Sequence, residues 1–211
     1  MKKYEIDMCN GSIFPKILAF SLPLMLTGIL QLMFNAADIA VIGKFAGDDS
    51  LAAIGSTTTV VNFFVNIFMG LSIGVNVVVS TAYGAKQYDK MHRTVQTAVL
   101  VSVFLGVTVG ISGLLYAKPV LLLLKTPSDI IEKAALYLKI YFLGLPALMI
   151  FNYIASILRA FGDTKRPLYF LLLGGIINVG LNLIFTINLK LDVAGVAIAT
   201  VISEVFSMIL I

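Results

Sequence analysis

The chain has 211 residues, 59% hydrophobic and 12% charged, with a net charge of +4 and a mean hydropathy of +1.01. A soluble domain carries about 25% charged residues, so a polar shell around a buried core is excluded and apolar surface must face lipid. The positive excess sits in short loops between apolar runs, so it is not a nucleic-acid signal and no nucleic-acid partner is expected, and a single cysteine, Cys9, permits no internal disulfide.

A spanning helix needs about 20 mostly apolar residues. Six such stretches follow one another: 15–43, 51–83, 94–117, 130–158, 167–188 and 193–211. Residues 1–13 read as a cytoplasmic N-terminal segment and 14–211 as one six-helix transmembrane lobe. The first apolar run is too long for a signal-peptide core and no small-residue cleavage site follows it, so it is expected to be an uncleaved span. Pro23 and Pro146 predict kinks, because proline removes a helical hydrogen bond. No run alternates with period two, which argues against strands and for an all-α bundle.

Orientation follows from the basic residues. Lys2, Lys3, Lys16, Lys86, Lys90, Arg93, Arg159, Lys165 and Arg166 fall on the N-terminal side of the membrane. Lys44, Lys118, Lys125, Lys133, Lys139 and Lys190 fall on the other, diluted by Asp48, Asp49, Asp129, Glu132 and Asp192. The positive-inside rule then predicts a cytoplasmic N-terminus in the plasma membrane. The sixth span closes at Met208-Ile-Leu-Ile211 with no basic anchor or aromatic belt, so a second lobe is expected beyond this chain. Appended after six spans, a second copy would insert in the same orientation, the arrangement of parallel repeats in transporters.

One stretch breaks the apolar pattern. Gln31, Asn35 and Asp38 occur inside the first span, where a carboxylate costs at least ~2.5 kcal/mol and is rarely present without a task. Asp38 lies six residues before Lys44, ~9 Å in from the end of its span at the helical rise. Asn182 lies at the same depth in span five, Asn178 one turn deeper, and Thr200 ~12 Å in from the start of span six. Four oxygen-bearing side chains from three helices thus share one layer, and Asn178 and Asn182, four apart, share a face. A hard cation wants several oxygens and a proton wants a carboxylate; either, H⁺ or Na⁺, could use this layer. Taken singly, Asn178, Asn182 and Thr200 read equally well as interhelical hydrogen-bond glue. Glu204, four residues after Thr200, is a second intramembrane acid. It could serve as a proton site, as a counter-charge for a cationic substrate, or as a partner for a loop cation. Asn62 and Asn66 share a face of span two and, with Gln31 and Asn35, are candidates to line a cavity. Gly70 with Gly74, and Gly106 with Gly110, have the small-xxx-small spacing that lets helices approach closely. No phosphate loop, nucleophile–base pair or metal cluster is present, so neither nucleotide-driven transport nor an enzyme is expected, and no cofactor.

Several motifs in this order resemble the multidrug and toxic compound extrusion (MATE) family of secondary transporters. They are Pro23; Gln31, Asn35, Asp38 and Gly43; Leu51-Ala-Ala-Ile-Gly55; Gly70-Leu-Ser-Ile-Gly74; Gly84-Ala85 with its following basic residues; Leu158-Arg159-Ala-Phe-Gly162-Asp-Thr-Lys165-Arg-Pro167; and Gly195-Val-Ala-Ile-Ala-Thr200. The resemblance implies one lobe of a two-lobed, twelve-helix antiporter that exports organic cations and other amphipathic drugs against inward H⁺ or Na⁺. It implies a coupling site at Asp38, Asn178, Asn182 and Thr200. Members often carry an acid followed by proline where this chain has Asn182-Leu183, a departure that leaves the ion open and shifts weight to Glu204. Two other functions compete: a lipid-linked oligosaccharide flippase of the wider superfamily, and a truncated half with no transport of its own. The flippase would need several deep basic residues to meet phosphates, and of the basic residues only Lys139 lies more than one turn inside a span.

Overall fold

The computed structural model describes residues 12–211; the expected cytoplasmic segment falls almost wholly outside them. Six helices follow one another: α1 Ile13–Phe45, α2 Asp48–Gly84, α3 Tyr88–Leu123, α4 Ile131–Ala160, α5 Lys165–Leu183 and α6 Asp192–Leu210. All are apolar and long enough to cross a membrane, α5 together with the π-helical turn Ile184–Asn188 that ends it. The fold is all-α among the described residues.

Helices outrun the apolar stretches that announce them. The third runs from Tyr88 to Leu123 rather than 94–117, because each residue added to an existing helix gains a backbone hydrogen bond without a new nucleus. At 37 and 36 residues, α2 and α3 extend about 55 Å, well beyond a hydrocarbon core of about 30 Å, so their ends project into the interface. Both prolines lie within continuous helix. One turn past Pro23, the Thr27 hydroxyl donates back to the Pro23 carbonyl at 2.8 Å.

The bundle is built around α4, whose Leu138, Phe142, Leu145, Met149 and Tyr153 are all buried. Helix α3 seats on it through glycines. A Cβ at Gly106 would lie 2.7 Å from the Pro146 Cα, one at Gly110 2.9 Å from the Phe142 carbonyl oxygen, and one at Gly113 2.1 Å from the Phe142 ring. The second small-residue pair behaves otherwise: nothing lies within 4 Å of a Cβ built at Gly70 or Gly74, so these two mediate no close packing inside the lobe. Polar links join α2 to α4. The Asn76 amide donates to the Ser156 carbonyl at 2.8 Å, and the Ser156 hydroxyl meets that of Ser72 at 3.1 Å.

The loop before α5 has a local explanation. Gly162, at φ +83°, takes the left-handed turn that ends α4, and its N–H donates to the Arg159 carbonyl while that of Asp163 donates to Leu158. The buried Asp163 carboxylate then accepts from the Arg166 backbone N–H at 3.1 Å and pairs with the Arg166 Nε at 2.8 Å, fixing the turn into the next helix. At the opposite end of the bundle Lys133 reaches both Ser50 (3.1 Å) and Asp192 (3.0 Å), tying together the starts of α2, α4 and α6.

Candidate functional site

Helix α5 carries two adjacent glycines that face different neighbours. A Cβ at Gly174 would meet the Ser207 hydroxyl of α6 at 2.0 Å, and one at Gly175 would meet the Phe34 ring of α1 at 1.9 Å. With no side chain at either position, α1 and α6 both close on α5. Two turns further on, that closeness sets Asp38, Asn182, Asn178 and Thr200 side by side.

These four form a hydrogen-bonded row across three helices. The Asn182 Nδ2 donates to the Asp38 Oδ1 and, at 3.3 Å, to the Asn178 Oδ1. The Asn178 Nδ2 donates to the Thr200 Oγ1 at 3.3 Å, and the Thr200 hydroxyl donates to its own helix at the Val196 carbonyl, 3.0 Å away. Asn182 is wholly buried and Asn178 nearly so. The carbonyl oxygen of the Asn182 side chain is buried with no hydrogen-bond partner. An acceptor left so in the hydrocarbon depth costs roughly 1–3 kcal/mol unless something donates to it or coordinates it.

Helix α4 packs against α6 and carries Tyr137 and Tyr141, both buried, their rings stacked at 6.3 Å. Both acids, Asp38 and Glu204, lie within electrostatic reach of Tyr137, and Glu204 also within reach of Tyr141. A carboxyl oxygen of Glu204 is buried without a partner, and it would stand 2.9 Å from a Cβ added at Gly144 of α4. The expectation that Glu204 pairs with a loop cation is not met: none of the ion pairs among the described residues includes it.

The remaining candidates stand apart from the row. Gln31 is half-buried and Asn35 exposed on the same face of α1 as Asp38. Asn62 and Asn66 are exposed on α2, where the Asn66 amide donates to the Asn62 carbonyl of its own helix at 2.8 Å. Sequence reasoning missed two groups near this layer. Thr186, one turn beyond Asn182, has a buried hydroxyl without a partner, and the spacing 178, 182, 186 is the signal that could have found it. Tyr137 carries no such signal, since its place depends on how α4 packs. The π-helical turn at Ile184–Asn188 was also not foreseen; such turns often sit at functional sites.

Against known proteins, the MatE family model matches residues 23–184. The probable multidrug resistance protein YpnP of Bacillus subtilis is 31% identical over 204 residues, covering 97% of this chain and 45% of that protein. The multidrug export protein MepA of Staphylococcus haemolyticus is 29% identical over 195 residues, covering 92% and 43%. Among solved structures, a MATE protein crystallised in the bent conformation superposes with a TM-score of 0.89 at 26% identity, over 95% of this chain and 44% of that one. The chain therefore spans a little under half the length of the relatives it matches. Matched in sequence across its spans and in fold over nearly all its length, this chain belongs to the MATE family of multidrug efflux transporters, as one six-helix lobe of that fold.

Proposed function

We propose that this lobe binds the coupling cation, H⁺ or Na⁺, of an antiporter that exports organic cations and other amphipathic compounds. The observation that carries the reading is the arrangement of Asn182. Its amide nitrogen is spent on Asp38 and Asn178, which leaves its own oxygen, a carboxylate oxygen, the Asn178 oxygen and the Thr200 hydroxyl as acceptors in one buried row. A row so rich in acceptors is short of positive charge. Either a proton on Asp38 or a Na⁺ among these oxygens supplies it; the one cation at comparable depth, Lys139 of α4, is exposed. Glu204, on the same face of α6 as Thr200 and one turn deeper, is the second intramembrane acid and offers a further proton site.

Transport itself requires a second lobe, because alternating access moves two lobes about a site near their interface. Half-buried Gln31 and exposed Asn35 on α1, with exposed Asn62 and Asn66 on α2, would then line the shared cavity. The membrane is taken to be the plasma membrane, with the N-terminus cytoplasmic by the positive-inside rule.

Cation binding is testable on the lobe alone. Solubilised chain is melted in Na⁺, K⁺ or choline chloride across a range of pH, since a ligand that binds only the folded state stabilises by about 2.7 kcal/mol at a hundred times its Kd. We expect stabilisation by Na⁺ or by acid that disappears in Asp38→Asn and shrinks in Asn182→Leu; Glu204→Gln tells whether the second acid contributes. In the two-lobed transporter Asp38→Asn should abolish efflux with insertion intact. Equal cation and pH responses in wild type and Asp38→Asn would sink the proposal.

A further inference from the structure

On the opposite end of the lobe from the row, a groove of about 760 Å³ opens between α2 and α3, within the range of ~300–1,000 Å³ usual for small-ligand sites. Its lining on α3 changes character along the helix. Lys90 and Arg93 stand at the mouth, Thr94 and Thr97 follow one turn in, and Ala98 and Val101 complete the wall. From Lys90 to Val101 the helical rise gives about 16 Å, close to half a hydrocarbon core of ~30 Å. The facing wall, on α2, is Leu71, Val75 and Val78, with the buried Tyr153 of α4 behind them. Gly74 lies between these apolar residues, and the absence of its side chain keeps the groove open.

The mouth carries unspent positive charge. Neither Lys90 nor Arg93 takes part in an ion pair among the described residues. Asp89 also lines the mouth, where it sits in the first turn of α3 and complements the helix dipole. Lys86 lies just outside, in the connecting loop. Leu71, Val78 and Val101 are exposed, so the groove is open along its apolar length.

We infer that this groove holds an anionic phospholipid, its phosphate against Lys90 and Arg93 and one acyl chain along Gly74, Val78 and Val101. Charge at one end, a hydroxyl-bearing step and an apolar wall, together about one leaflet long, match an amphiphile better than a soluble anion. Basic pockets between membrane helices select anionic headgroups in this way. The groove is distinct from the Asp38 row, and the inference does not depend on the coupling reading.

The chain contains no tryptophan, which allows a clean test. Val101→Trp places a single fluorophore in the groove, and Leu115→Trp places one on exposed α3 surface elsewhere. Each variant is reconstituted in vesicles of phosphatidylcholine with brominated phosphatidylglycerol or brominated phosphatidylcholine as quencher. We expect the groove tryptophan to prefer phosphatidylglycerol by roughly fivefold or more, and the control to show no preference. Lys90→Gln with Arg93→Gln should remove the preference. So should Gly74→Leu, which fills the groove from a position where a Cβ meets nothing within 4 Å. Equal quenching by both lipids at Val101→Trp overturns the inference, as does a preference that survives either change. Loss of the preference in millimolar inorganic phosphate would assign the mouth to a soluble anion instead.

Discussion

Gly175→Ala tests whether close approach of α1 to α5 builds the coupling row. The added Cβ would lie 1.9, 2.0 and 2.4 Å from three atoms of the Phe34 ring, against an ordinary separation of ~3.5 Å or more. Relief of the overlap requires the ring or the whole of α1 to retreat by roughly 1.5 Å. Phe34 is one turn before Asp38, so retreat of the helix stretches a hydrogen bond of ordinary length from ~2.9 Å to beyond 4 Å and breaks it. Two terms oppose each other in stability. Overpacking costs about 1–3 kcal/mol, while replacing glycine by alanine inside a helix returns about 1 kcal/mol. The expected net is a loss of about 0–2 kcal/mol, up to several degrees in Tm for a chain of this size. Gly180→Ala is the control on the same helix, because nothing lies within 4 Å of its added Cβ; it should keep the helical gain and lose nothing. In a Phe34→Ala background Gly175→Ala should likewise become neutral or stabilising, which a double-mutant cycle reads as coupling. The assay is thermal unfolding with and without Na⁺, so that stability and cation response are followed together. Stabilisation of Gly175→Ala to the extent of Gly180→Ala, with an unchanged cation response, would refute the packing argument.

Two further outcomes follow from the packing. Gly110→Ala should destabilise more reliably than Gly175→Ala, since the added Cβ faces the Phe142 backbone carbonyl at 2.9 Å, which no rotamer change can move; a melting temperature within a degree of wild type would contradict this. Asp163→Ala removes the side-chain acceptor of the Arg166 N–H in the first turn of α5 and a buried partner of Arg166, and should cost about 1–3 kcal/mol, whereas Asp163→Asn keeps the acceptor and should cost less; protease accessibility of the α4–α5 loop, read beside the melt, separates the two.

Much of the architecture was legible because lipid imposes a coarse rule. Any run of apolar residues long enough to cross must form its backbone hydrogen bonds internally, so six runs meant six helices before any packing was known. Their ends were less legible, since backbone hydrogen bonding carries α3 beyond its apolar stretch at both ends. Spacing and depth alone placed Asp38, Asn178, Asn182 and Thr200 in one layer, because the helical rise converts residue counts into distance.

What spacing could not decide was which side chains meet. Gly70 with Gly74 and Gly106 with Gly110 have the same pattern, yet one pair meets nothing within the lobe and the other receives α4. Only the arrangement of helices around α4 distinguishes them. The same holds within the site: that the Asn182 amide turns to Asp38 and leaves its oxygen bare depends on α1 seating its Phe34 ring over Gly175. Sequence settles depth along each helix because the rise per residue is constant; rotation and neighbour choice come from side-chain packing between helices, which a single chain of letters does not express.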